Sequence, residues 1–302
     1  MAVKAKDFKK FLDPEVLSKI KTLELRARMI VEGFMVGLHR SPYHGFSAEF
    51  SEHRPYMQGD SLKNVDWKVF AKSEKYFIKQ FEEETNLICN LFIDMSNSMS
   101  YRRDGKMNKL DYAVNLAAAI SYVLINQQDA VGMMTYSDKI HTYLPPRANK
   151  VYLKNILTSL ANIKPAGSTS TSRCLNEAVL KIRQRGLIII FSAFFDDIEL
   201  IIGALKQLHF KKNEIIVFQI LDPVEKSFGF DKDALFIDLE SNEQITSQPY
   251  QIQKAYQQAM NEYLHRMKNE CLNLGIQYNL IETNQPFDIA LMNFINKREK
   301  LH

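Results

Sequence analysis

From residue 87 onward the chain alternates short apolar runs with stretches of helical length, and this alternation constrains the fold more than any other feature. Runs at 87–93, 130–136, 187–191, 215–221 and 277–281, with a shorter one at 235–239, have the length and composition of strands. Residues 110–126, 151–163, 198–208, 248–274 and 289–298, and the stretch from Ser172 to about Arg185, read as helices. A run as uniformly apolar as 187–191 suits a strand buried on both faces. Strands separated by helices imply parallel pairing, because each crossover helix carries the chain back to start the next strand. The expectation is an α/β fold: a mostly parallel, Rossmann-like sheet with helices on both faces.

The first third of the chain reads differently. Asp13-Pro14 has the form of a helix cap followed by proline at the first helical position. Val16, Leu17, Ile20, Leu23, Ala27, Ile30, Val31 and Phe34 then recur at helical spacing, which predicts one amphipathic helix to about Gly37. Residues 39–84 are dense in aromatics among charges and include Trp67. A loop-rich element is expected there, with a short helix over 61–70 capped by Asp60 and an edge strand over 76–81. Aromatic density and the absence of a flexible linker before Leu87 imply that residues 1–84 form an N-terminal extension packed on a core domain of residues 85–302, with Trp67 buried.

Composition narrows the function classes. The formal net charge of +4 is spread among interspersed acids with no basic stripe, which argues against nucleic acid. The longest strongly apolar run, 187–195, is too short to span a bilayer, so no direct membrane insertion is expected. The N-terminal residues lack the apolar core of a signal peptide. Cys89, Cys174 and Cys271 are scattered in apolar surroundings, as expected of buried thiols in a reducing compartment. A cytoplasmic protein is the economical reading.

The strand at 87–93 ends in Asp94, and Ser96 and Ser98 follow at alternate positions. Asp94, Ser96 and Ser98 thus spell D-x-S-x-S just past the carboxyl end of a strand, where open α/β sheets bind ligands. One carboxylate and two hydroxyls on a tight turn suit a hard cation such as Mg²⁺; the same residues also make ordinary capping loops. A second polar loop, Gly167-Ser-Thr169-Ser, precedes a helix, where Thr169 is a helix cap or a ligand. A third follows 187–191 and reads Ser192-Ala-Phe-Phe-Asp196-Asp197. The chain contains no G-x-G-x-x-G after a strand, no G-x-x-x-x-G-K-[ST], no G-x-S-x-G elbow and no H-E-x-x-H.

In their order, these loops resemble those of the von Willebrand factor A domain. That resemblance implies a metal-ion-dependent adhesion site at Asp94, Ser96, Ser98 and Thr169, holding Mg²⁺ or Mn²⁺ with an open position for a partner's carboxylate. A closer resemblance lies upstream, in Gly45-Phe46 to Glu49-Phe50, Arg54-Pro55-Tyr56, Gly59-Asp60, Val65-Asp66-Trp67 and Phe81-Glu-Glu-Glu84. With Leu12-Asp13-Pro14, His39-Arg40-Ser41, Asp222-Pro223 and the helix ending near Arg298, this array is similar to the DUF58 family. The resemblance implies a non-enzymatic adaptor or co-chaperone for a MoxR-type AAA+ ATPase in complex assembly or stress tolerance, with other von Willebrand factor A-like proteins as further partners.

The third loop departs from the pattern. Ala193 stands where the family commonly has an aspartate, and Asp196 and Asp197, farther along, are the carboxylates left to replace it. The alternative to an adaptor is a hydrolase or nucleotide-binding enzyme on a Rossmann-like sheet, using Asp94 and the Thr169 loop. The missing phosphate and nucleophile motifs favour the adaptor.

Overall fold

The computed structural model describes residues 13–38, 53–55, 76–79, 87–230, 234–241 and 243–298. The chain divides into two units, residues 39–86 and the rest. In the smaller unit, β1 (His53–Pro55) pairs antiparallel with β2 (Phe77–Lys79). The helix expected over 61–70, residues 80–81 of the expected strand, and Trp67 lie outside the described residues.

The larger unit opens with α1 (Pro14–Ser18) and α2 (Leu23–Leu38). These replace the single helix expected from periodicity. Lys19 and Ile20 turn their N–H groups back onto the carbonyls of Val16 and Leu17, and Thr22 restarts the helix by accepting from the Arg26 amide. Leu17 and Leu23, on either side of the break, are both buried in the same core. The larger unit continues with β3 (Ile88–Asp94), α3 (Lys109–Asn126), β4 (Ala130–Tyr136), β5 (Ile140–Arg147), α4 (Lys150–Ala161) and α5 (Thr171–Lys181). It proceeds through β6 (Leu187–Ser192), α6 (Ile198–Phe210), β7 (Glu214–Leu221), α7 (Pro223–Ser227), β8 (Ala234–Ile237) and β9 (Gln244–Ser247). It ends with α8 (Pro249–Asn273), β10 (Gln277–Glu282) and α9 (Phe287–Arg298).

Six strands form one sheet in the order β10-β7-β6-β3-β4-β5, parallel throughout except at β5. Numbered within the sheet alone, that order is 6-5-4-1-2-3, a doubly wound topology in which the order of strand addition reverses between the parallel neighbours β3 and β6. The pleat sends alternate strand residues into two cores. Leu91, Ile93, Ile189, Phe191, Ile216 and Phe218 pack with α2, α3, α4 and α9 on one face. Phe92, Ile188, Ile190, Ile215 and Val217 pack with α5 and α6 on the other. The three cysteines are buried. No described helix is long and apolar enough to cross a membrane.

In the larger unit, two of the described strands escape the pattern of apolar runs. Pro145 and Pro146 lie inside β5. An edge strand tolerates proline because its outer N–H groups have no ladder to join. Close approach here requires glycine on the neighbouring strand: a Cβ at Gly132 would meet the Pro146 ring at 2.8 Å. The second omission is β9, whose residues Gln244–Ser247 are polar or exposed and which closes a hairpin with β8.

Candidate site at the carboxyl end of the sheet

Asp94 is the last residue of β3 and Ser192 the last of β6, so they flank the point where the winding reverses. In open α/β sheets the crevice at such a point is where ligands bind, because the two loops leaving it diverge to opposite faces. Asp94 is 1% exposed. Its Oδ1 accepts the Ser96 amide at 2.9 Å and its Oδ2 accepts the Ser192 hydroxyl at 2.6 Å. Burial raises the Asp94 pKa above the usual carboxylate value, opposed by these donors and by the nearby charge of Lys109.

The Ser96 and Ser98 hydroxyls lie 3.0 Å apart, and those of Ser98 and Thr169 3.2 Å apart. The loops carrying them are joined by backbone bonds: the Ala166 amide donates to Met95 O at 2.8 Å and the Asn97 amide to Gly167 O at 3.0 Å. Gly167 makes this junction possible. Its φ is +74°, and a Cβ there would meet Ser137 Oγ and Asp138 Oδ1 at 2.8 Å. Asp94, Ser96, Ser98 and Thr169, separated by up to 75 positions, therefore form one arc of oxygens.

The third loop takes no part in the arc beyond Ser192. Ala193 is buried and its carbonyl accepts Gln219 Nε2 at 2.8 Å. Phe194 follows with φ +58°, a left-handed conformation unusual for an aromatic residue. Burial, a bond from its amide to Ser192 Oγ and one from the Tyr263 hydroxyl to its carbonyl hold it there. Asp196 and Asp197 do not turn toward Asp94. Asp196 accepts the amide and hydroxyl of Ser172, both at 3.2 Å, and Asp197 caps α6 through the amides of Glu199 and Leu200. Neither bonds to any residue of the arc.

Three participants carry no D-x-S-x-S-like signal. Glu240, in the turn between β8 and β9, accepts the Thr169 amide at 2.8 Å and its hydroxyl at 2.5 Å. Lys109 is fully buried and donates to Glu225 Oε1 at 2.5 Å. Glu225 in turn closes a capping box with Asp222, whose carboxylate accepts the amides of Arg103 and Gly105 at 2.9 Å. The D-P-x-E spacing at 222–225 is a legible cap signal; Lys109 and Glu240 have none.

An all-oxygen arc of this spacing fits a hard cation. Ligands at about 2.1 Å from an octahedral centre lie about 3.0 Å from one another, close to the hydroxyl separations here. Asp94, Ser96, Ser98 and Thr169 would hold such an ion. Among the described residues, no group of three or more His, Cys, Asp or Glu is placed to hold a metal. The arc is rich in hydroxyls and poor in carboxylates. Two further hydroxyls, those of Tyr136 and Thr171, are fully buried beside one another and close to Ser192; the charge of Asp94 helps to raise the Tyr136 pKa, second to burial.

A nucleophile–base pair is not built here. Ser137 Oγ lies 2.7 Å from His141 Nε2, but Ser137 is fully buried. Asp138 approaches that same nitrogen, at 3.8 Å, and orients no ring N–H from the far side as a triad requires.

Comparison with known proteins places the chain. The family profile described as protein of unknown function DUF58 matches residues 52–266. The chain is 26% identical over 234 residues to uncharacterized protein Rv1480 of Mycobacterium tuberculosis, covering 76% of this chain and 72% of that protein. A Mycobacterium bovis protein, Mb1516, matches to the same extent. Among solved structures, the conserved hypothetical protein BatB from Bacteroides thetaiotaomicron has a TM-score of 0.47 at 19% identity, covering 71% of this chain and 99% of that one. The VWA domain of SpRpn10 has a TM-score of 0.40 at 13% identity, covering 68% and 94%.

Proposed function

Because this chain belongs to the DUF58 family, we propose that it is a protein-interaction module, an adaptor or co-chaperone whose Asp94 end docks a MoxR-type AAA+ ATPase. The observation that carries this reading is the arc itself. Four oxygen-bearing residues from two loops converge at the switch point of a doubly wound sheet, while its faces are covered by helices. Such an arc can fix a cation or a carboxylate. It offers neither an activated nucleophile nor a phosphate cradle. A bound Mg²⁺ or Mn²⁺ would add positive charge that a partner's carboxylate can meet. Asp94 anchors the first loop through Ser96 and the third through Ser192, so it sets the spacing of the hydroxyls.

Calorimetric titration of the full chain with the MoxR-type ATPase of its host tests the reading. Asp94→Ala and Thr169→Ala should each weaken binding about tenfold or more, with thermal melts confirming that both variants fold. Unchanged affinity in both would move the interface away from this end of the sheet.

A further inference from the structure

The β8–β9 hairpin brings a carboxylate of this chain onto the arc. Its turn is closed by Asp238, which accepts the amides of Glu240 and Ser241 at 2.6 and 3.0 Å and donates its own amide to Glu243 O at 2.9 Å. The side chain of Glu240 then takes both polar groups of Thr169, Oε2 from the amide and Oε1 from the hydroxyl. Thr169 hands on to Ser98, Ser98 to Ser96, and Ser96 to Asp94. Among the described residues Glu240 forms no ion pair. A carboxylate is thus held by one hydroxyl and one amide, at the rim of a site that already buries another carboxylate.

The rest of the hairpin is lightly attached. Phe236 packs near its base against Phe228 and Phe230, with ring centroids 5.6 and 5.0 Å away. The side chains alternating with it, Leu235 and Ile237, are 53% and 50% exposed, and Ile245 on β9 is 65% exposed. Among the described residues, the two bonds of Glu240 are the hairpin's hydrogen bonds to the remainder of the chain. Beside them opens a cleft of about 290 Å³ between Ser98, Tyr101, Phe195 and Leu239, whose carboxylates, those of Glu225, Asp238 and Glu240, are each engaged by donors of this chain. The buried Lys109 ammonium lies 5.1 Å from the Phe195 ring and 5.9 Å from that of Tyr101.

We infer that Glu240 is an in-chain substitute for an acidic side chain of the docking partner: the hairpin covers the arc in the free chain and yields when a partner's glutamate or aspartate takes Thr169. The inference rests on the docking reading above and adds its regulation: one acidic side chain of the partner replaces Glu240 on Thr169, carboxylate for carboxylate. A tethered carboxylate competes at an effective concentration set by its tether, in the millimolar range for a short one. The apparent affinity for an external carboxylate is lowered by the fraction of chains with the arc uncovered.

Full-length wild type, Glu240→Ala, Glu240→Gln and Thr169→Val are titrated with a synthetic peptide carrying one glutamate, and with its glutamine counterpart, in Mg²⁺-containing buffer. Glu240→Ala should bind the glutamate peptide at least tenfold more tightly than wild type. Glu240→Gln should follow in the same direction, the glutamine peptide should bind neither, and Thr169→Val should lose the peptide. Hydrogen exchange gives a reading independent of any ligand: the Thr169 amide, protected by Glu240 in wild type, should exchange faster in Glu240→Ala. Equal peptide affinity in wild type and Glu240→Ala overturns the inference and leaves the docking reading standing. Binding of the glutamate peptide to neither overturns both. An unchanged exchange rate at Thr169 overturns the covering contact itself.

Discussion

Two acidic networks lie at the carboxyl end of the same sheet, and they are neutralised in different ways. In the first, Asp222 gathers backbone amides from residues 103–105 and 224, and Glu225 pairs with the fully buried Lys109. Every carboxylate oxygen there has a fixed donor, and one donor carries a full charge. In the second, Asp94 and Glu240 are served by hydroxyls and two amides. Hydroxyls satisfy hydrogen bonds without supplying charge, and they rotate to donate or accept. The first network is closed and holds α3, α7 and the loop between β3 and α3 in register. The second holds its carboxylates with neutral donors alone, so a cation is the charge that would complement it. Two clusters of similar composition thus differ in the charge of their donors.

The largest expected effect falls on the closed network. Lys109→Ala leaves Glu225 buried without its partner, and burial already raises the Glu225 pKa despite Lys109. Removing one member of a buried pair costs about 3–5 kcal/mol. Denaturant unfolding should show that loss, and Lys109→Met combined with Glu225→Gln should recover more than half of it. A loss under 1 kcal/mol in the single variant would erase the distinction between the networks.

A smaller effect is expected where the open network lacks a charge. Ala193→Asp places a carboxylate beside Ser192, which bonds to Asp94. In metal-free buffer the burial of an unpaired carboxylate beside Asp94 should lower stability by about 2–3 kcal/mol. In millimolar Mg²⁺ or Mn²⁺ the variant should regain that and more, because hard cations respond to ligand charge and binding to the native state raises the melting temperature. The wild type should respond severalfold less. Absence of any metal-dependent stabilisation in Ala193→Asp would show that the loops hold no cation.

The smallest effect concerns Asp94 in the absence of metal. Its folded pKa is raised, chiefly by burial, so the folded state holds its proton more tightly than the unfolded state does. Stability from this group is therefore full below the ordinary value of 3.8 and declines as pH rises from there through the raised folded pKa. Asp94→Asn removes that decline. At neutral pH in metal-free buffer it should be more stable than wild type by about 1 kcal/mol, or roughly 2–4 °C in a chain of this size. A variant less stable than wild type across the whole pH range would mean that the charged form of Asp94 is what the fold prefers.

Much of this architecture is legible in the sequence, for a physical reason: burial on both faces of a sheet demands uninterrupted apolar runs. Runs such as 187–191 accordingly show where strands lie and that they are parallel. Asp94, Ser96 and Ser98 are legible because they are neighbours on one turn, and Thr169 because it sits just before a helix. Elements at the periphery are less so. The prolines of β5 and the polar residues of β9 answer to no burial requirement, and the break after Ser18 is made by backbone bonds that hydrophobic period does not record.

What the sequence determined alone is the alternating α/β plan and the strand end at which polar residues collect, since local composition and period encode burial. What only the tertiary structure decided is which polar groups meet. Glu240 lies 71 residues from Thr169, and Lys109 lies 116 from Glu225. Contacts at such separations depend on strand order and on the path of a hairpin, and no local preference of a glutamate or a lysine records them. The same holds for the outward turn of Asp196 and Asp197: as carboxylates they suit a cation or a helix cap equally well, and the left-handed turn at Phe194 directs them to the caps.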